Sequence, residues 1–142
     1  MKAAVIDASI AIKWVVAEPF SDRANMLLAH TTLCAPAHWQ SEAVNALWGL
    51  VYRREISAED AKDRASSLID APVAAVPLSG LLDRSLELSI EMRITVYDSL
   101  YVALAEARGL PLISSDRELM RRMAARPGLS RLAQPIEHLL LP

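Results

Sequence analysis

The sequence predicts an α/β domain whose mostly parallel sheet is covered by helices on both faces. Three observations lead there. Short apolar runs alternate with segments whose apolar positions recur at helical spacing. The runs are bounded by prolines or by polar residues, two of them by an aspartate. They are apolar throughout rather than alternately, as strands buried on both faces are.

The run Ala3–Asp7 (AAVID) is the first strand. Residues 9–17 (SIAIKWVVA) follow as a helix, capped by Asp7 or by Ala8–Ser9. Glu18-Pro19 ends it, because a residue before proline leaves the helical region. Ser21 or Asp22 caps a second helix through about Ala29, and TLCAP, residues 32–36, is the second strand. From Pro36 a long helix runs to about Arg54, with Trp39, Ala43, Ala46, Leu47, Leu50 and Val51 at helical spacing. Ser57, with Asp60 three residues on, caps a helix to about Ile69. APVAAVPL (71–78) is a third strand between prolines. Ser79 caps a helix to about Met92, and Thr95 caps another that stops at Gly109. LPLISSD (110–116) is the fourth strand, residues 117–126 form a basic helix, and LAQPIEHLLL (132–141) adds a fifth strand. No repeat, low-complexity tract or linker interrupts the 142 residues, so one domain over 1–142 is expected.

Hydrophobic residues make up 53% of the chain and charged residues 23%, which excludes a disordered composition. The formal charge of -2 excludes a strongly basic nucleic-acid binder but leaves room for a local basic patch. Cys34 is the single cysteine, so no internal disulfide forms; a buried thiol in a reducing cytoplasm is expected. The apolar start is broken by Asp7 and offers no secretory signal. No uncharged run approaches the roughly 18 residues of a membrane span.

In open α/β sheets, ligands bind outside the carboxyl ends of the strands. Asp7 and Asp116 fall at two such ends. Each is a helix cap taken alone; together they are candidates for one site if their strands are neighbours. Glu42 lies in the first half of a helix with Asn45 on the same face, either a solvated flank or a wall of that site. Asp98 falls in the first turn of a nearly apolar helix, where it complements the helix dipole or holds a cation. Four converging carboxylates need a cation between them, and hard oxygen donors suit Mg²⁺ or Mn²⁺. His30, His38 and His138 have no ligand-like spacing, which disfavours zinc. Gly49, Gly80, Gly109 and Gly128 make neither a dinucleotide-binding turn nor a phosphate-binding loop. Ser9 stands where an aspartyl phosphotransferase has a second Asp, and there is no GxSxG elbow.

These acids, in their order and context, resemble PIN-domain ribonucleases, and most closely the VapC toxins of prokaryotic toxin–antitoxin pairs. The matching stretches are VIDASIAIKW with Asp7 and Ser9, SEAVNAL with Glu42 and Asn45, YDSLYVALA with Asp98, and LISSD with Asp116. The last motif commonly has a threonine where Ser114 or Ser115 stands. The resemblance implies a PIN-like three-layer α/β/α sandwich with about five strands in the order 3-2-1-4-5. It also implies a Mg²⁺-dependent endoribonuclease, Mn²⁺ serving as well, neutralised by a small VapB-like antitoxin. In that reading Asp7, Glu42, Asp98 and Asp116 form the metal-binding catalytic set. Ser9 and Ser115 orient a ligand or the phosphate, and Asn45 fixes Glu42. The alternatives are a PIN nuclease acting on another nucleic acid and a degenerate scaffold that binds RNA or protein without cutting.

An acidic RNA-binding protein needs local positive charge. Residues 117–131 carry Arg117, Arg121, Arg122, Arg126 and Arg131 against Glu118 alone, directly after Asp116. With Lys13, Arg53 and Arg54 these are the candidates for phosphate contacts, Lys13, Arg117, Arg121 and Arg122 foremost. Trp14, Trp39, Trp48, Leu47 and Leu50 fill the core by default, some being left for a homodimer face or an antitoxin helix.

Overall fold

The computed structural model describes residues 1–140. Leu141, the last residue of the expected fifth strand, and Pro142 lie outside the described residues.

Five parallel strands form one sheet: β1 (Ala3–Ile6), β2 (Thr32–Pro36), β3 (Val73–Val76), β4 (Leu112–Ser114) and β5 (Ala133–Pro135). Their order is β3-β2-β1-β4-β5. β1 is central, pairing Val5 with Cys34 of β2 on one side and Leu112 of β4 on the other. Ala4, Val5 and Ile6 are all fully buried. Successive strand residues point to opposite faces, so β1 is covered on both.

Seven helices are described: α1 (Ala8–Ala11), α2 (Ser21–His30), α3 (Trp39–Tyr52), α4 (Ala58–Ile69), α5 (Leu82–Met92), α6 (Val96–Arg108) and α7 (Arg117–Ala124). Every residue of α6 from Ser99 to Ala105 is buried. This helix lies against β1, β2 and β4, with α5 packed beside it. Its start is fixed by Thr95, whose hydroxyl accepts the Asp98 N–H, and its end by Gly109 in the left-handed conformation. Ser57 caps α4 in the same way, accepting from Asp60. Cys34 is buried, as expected.

The helix expected over 9–17 is shorter. After Ala11 the backbone tightens into a 3-10 turn, Ile12–Trp14, and the Val15 and Val16 N–H groups both return to the Ile12 carbonyl. The Trp14 indole donates to the Ala24 carbonyl and meets Trp39 edge to face at 6.4 Å. Ser21 does not cap α2. Its hydroxyl turns back to accept the Glu18 N–H, and the cap position falls to Phe20 at φ 68°. Ser79 does not cap α5 either, which starts after an uncapped Leu81. Pro36 belongs to β2 and not to α3, because the Ala37 N–H still bonds the Val76 carbonyl of β3. Trp48 leaves the expected core: it is 61% exposed and stacks on the exposed Tyr52.

Candidate functional site

The order of the strands brings the two aspartates together. Asp7 follows β1 directly, Asp116 follows β4, and β1 and β4 are neighbours. Each also caps a helix: Asp7 accepts the Ile10 N–H of α1 and Asp116 the Leu119 N–H of α7. The capping and the clustering are therefore one arrangement and not rival explanations.

Asp7 is only 6% exposed, and its two oxygens are held by two hydroxyls. Ser9 Oγ donates to Oδ1 and Ser114 Oγ to Oδ2, each at 2.5 Å. Both serines are anchored from the other strand end or its loop. Ser9 Oγ accepts the Ser115 N–H at 3.0 Å, and Ser114 Oγ accepts the Asp116 N–H at 2.9 Å. The hydroxyl on Asp7 is thus that of Ser114. Ser115, expected to orient a ligand through its side chain, contributes its backbone N–H, because successive residues at the end of β4 point opposite ways. Burial pushes the Asp7 carboxyl up to about 6 despite these donors, and the charge of Asp116 adds to the rise.

Glu42 reaches the same region from the first turns of α3, and Asp98 from the first turn of α6. Asp98 is raised above the ordinary carboxylate range by burial, then by Asp116 and Glu42. The acids therefore act electrostatically on one another across four elements. The amino ends of α1, α3, α6 and α7 all lie by them, so four positive dipole ends offset part of the charge.

Asn45 is exposed, and among the described residues Glu42 is held by others. Tyr101 Oη donates to Glu42 Oε1 at 2.6 Å, and His38 Nε2 lies 3.4 Å from the same oxygen. Both partners escaped sequence reasoning. Tyr101 follows Asp98 by one helical turn and so shares its face, which is the one local signal it offered.

Lys13 does not face an incoming phosphate. It is 6% exposed, with its ammonium on the Pro19 carbonyl at 2.8 Å and on Glu18 at 3.3 Å. The arginines after Asp116 are on the surface but largely engaged. Glu118 takes both Arg121 and Arg122, and Arg122 also bonds the Met92 carbonyl. Arg126 pairs with Glu91. Arg117 is 83% exposed and only loosely engaged, 3.5 Å from Glu137.

The donor set fits a hard divalent cation: carboxylates that raise one another's proton affinity are relieved by a positive ion. Among the described residues, no three acids or imidazoles stand together closely enough to hold one ion as they are. The Asp7 oxygens are turned to hydroxyls and Glu42 Oε1 to Tyr101.

Comparison with known proteins adds a lineage to this geometry. The sequence model of one family, PIN domain, matches residues 4–126. Ribonuclease VapC12 of Mycobacterium tuberculosis is 34% identical over 115 residues, spanning 81% of this chain and 88% of that protein. The crystal structure of PAE2754 from Pyrobaculum aerophilum superposes with a TM-score of 0.70 at 21% identity, covering 96% of this chain and 85% of the other. VapBC2 from Rickettsia felis, solved bound to a DNA fragment from its promoter, superposes with a TM-score of 0.64 at 13% identity, covering 94% and 98%.

Proposed function

From the premise that this chain belongs to the PIN-domain family, among the VapC ribonucleases, we propose that it is a Mg²⁺- or Mn²⁺-dependent endoribonuclease and the toxin of a toxin–antitoxin pair. The observation that supports this reading best is the placing of Asp7 and Asp116 at the ends of the neighbouring strands β1 and β4, with Glu42 and Asp98 in the first turns of α3 and α6.

Those four carboxylates would hold the ion. The chemistry such an ion supplies is Lewis acidity toward a phosphoryl oxygen and water made acidic enough to attack phosphorus. The rest falls to the chain. Ser9 and Ser114 clamp Asp7 from both sides and keep its plane fixed. The mutual repulsion of the acids makes the site selective for a cation before substrate arrives. Arg117, beside Asp116 and exposed, meets the RNA backbone, with Arg121 behind it. Such contacts position the strand without reading its sequence. By resemblance to the family, the products would carry 5′-phosphate and 3′-hydroxyl ends.

The antitoxin is a small protein like the VapB partner of the Rickettsia toxin, and the toxin itself pairs as a homodimer. Exposed apolar side chains supply surface for both contacts: Trp48 and Tyr52 on α3, and Leu82, Leu86 and Ile90 on α5. No described helix is long and apolar enough to cross a membrane, and a cytoplasmic location suits an RNA substrate and the free Cys34 thiol.

The deciding experiment is RNA cleavage by the purified chain with Mg²⁺ or Mn²⁺ and with chelator, beside Asp7→Asn prepared identically. Metal-dependent cuts absent from the variant are expected. Equal cleavage by both proteins overturns the reading.

A further inference from the structure

The Glu42 carboxylate is held asymmetrically, and this has consequences for how it can bind anything. Its Oε1 receives the Tyr101 hydroxyl at 2.6 Å and faces His38 Nε2 at 3.4 Å. Among the described residues, no hydrogen bond reaches Oε2. Tyr101 is 1% exposed, and its phenol is hemmed in on all sides. One hydroxyl therefore ties α6 to α3, the elements that bring Asp98 and Glu42 to the site.

The second arm is His38. Its Nε2 lies 3.0 Å from the Tyr97 carbonyl. A carbonyl only accepts, so the imidazole carries its proton on Nε2 and directs it between Tyr97 O and Glu42 Oε1. The ring rests against Tyr101 at 4.8 Å between centroids. Tyr101 and His38 thus brace each other as well as the glutamate.

We propose that Tyr101, supported by His38, is a positioning residue that occupies Glu42 Oε1 and leaves Oε2 as the single oxygen Glu42 offers to the divalent ion. The proposal rests on the metal-dependent reading above. Burial and the neighbouring Glu42 push the phenol well above its ordinary range, so Tyr101 stays protonated and serves as a donor at any working pH. A bidentate Glu42 requires that this hydrogen bond break, leaving a buried phenol without its partner. Groups that orient ligands in this way typically change metal affinity by about 10–100-fold when removed.

The test is Mn²⁺ binding to the purified full chain, read as loss of the free-ion electron paramagnetic resonance signal. Tyr101→Phe keeps the ring and deletes the hydroxyl. The expected result is Mn²⁺ binding weaker by about tenfold. The Mn²⁺ concentration for half-maximal RNA cleavage rises in parallel, and the rate at saturating Mn²⁺ falls less than the affinity does. In a Glu42→Gln background the same change adds nothing further. Mn²⁺ affinity unchanged by Tyr101→Phe but weakened by Glu42→Gln overturns the proposal and leaves the carboxylate site standing. Affinity unchanged by both variants removes Glu42 from the ligand set, and native protein that binds no Mn²⁺ overturns the metal-dependent function too. The native chain gives a second reading that is independent of how any Tyr101 variant folds. With tyrosine labelled at Cζ, the Tyr101 resonance, one of three, is expected to shift on adding Mg²⁺, and to stay still in Glu42→Gln. A native resonance indifferent to bound Mg²⁺ counts against the proposal.

Discussion

At the scale of single residues, Asp7 works against the stability of its own fold. Its folded-state pKa of about 6 stands above the ordinary 3.8, so the ionised form is the costly one. That cost is absent below the unfolded value, grows as pH rises between the two, and is complete above about 6. The gap corresponds to about 3 kcal/mol. Asp7→Asn keeps the shape and, through its remaining oxygen, the cap and one hydroxyl contact; its amide nitrogen must donate to the second serine, and the charge is gone. The metal-free variant is therefore expected to melt higher than native protein at pH 7.5, and by a margin that vanishes near pH 4, while its RNA cleavage is lost. Thermal melts across that range check this. Protonation of the same carboxyl competes with cation binding, so Mn²⁺ should raise the melting temperature more at pH 7.5 than at pH 5. Asp7, Asp98 and Asp116 were legible because each ends a strand or opens a helix, positions that local pattern reveals. The partner of Glu42 was not. Asn45 is its neighbour along the helix, whereas Tyr101 is 59 residues away and meets it only after folding. Ser114 and Ser115 were separable only by which face of β4 each takes.

At the scale of elements, caps written in a single turn were readable and caps set by distant contacts were not. Thr95, Ser57 and Gly109 follow their local rules. Ser21 and Ser79 had the right residue type, but surrounding turns claimed the positions. Thr95 and Ser57 make a matched pair, since each hydroxyl accepts the N–H three residues on. Either replaced by Ala costs about 1 kcal/mol of stability. Only Thr95→Ala loosens the turn that carries Asp98, so it alone is expected to weaken Mn²⁺ binding and cleavage. Denaturant melts and metal titrations of both variants, side by side, separate the two effects. The strand order followed from resemblance, while the parallel sheet itself followed from alternation of short apolar runs with helices.

At the scale of the whole molecule, the charge balance is more even than the sequence suggested. Four of the five arginines after Asp116 meet an acid, Arg121 and Arg122 sharing Glu118, which they draw down to about 2. Glu118→Gln releases Arg121 and frees Arg122 of its acid, leaving it only the Met92 carbonyl, and is expected to tighten RNA binding, with a steeper dependence on salt. Arg117→Ala should do the opposite, which filter binding at two salt concentrations would show. The exposed Trp48 of α3 was assigned to the core or to a partner without distinction, because periodicity marks an apolar face and not what covers it. The Ser114 hydroxyl on Asp7 spans 107 residues of chain. A ribosome that has finished the first strand has still to make β4 before Asp7 acquires its clamp, and Asp116 comes later again. The site around Asp7 is thus incomplete until most of the polypeptide has emerged.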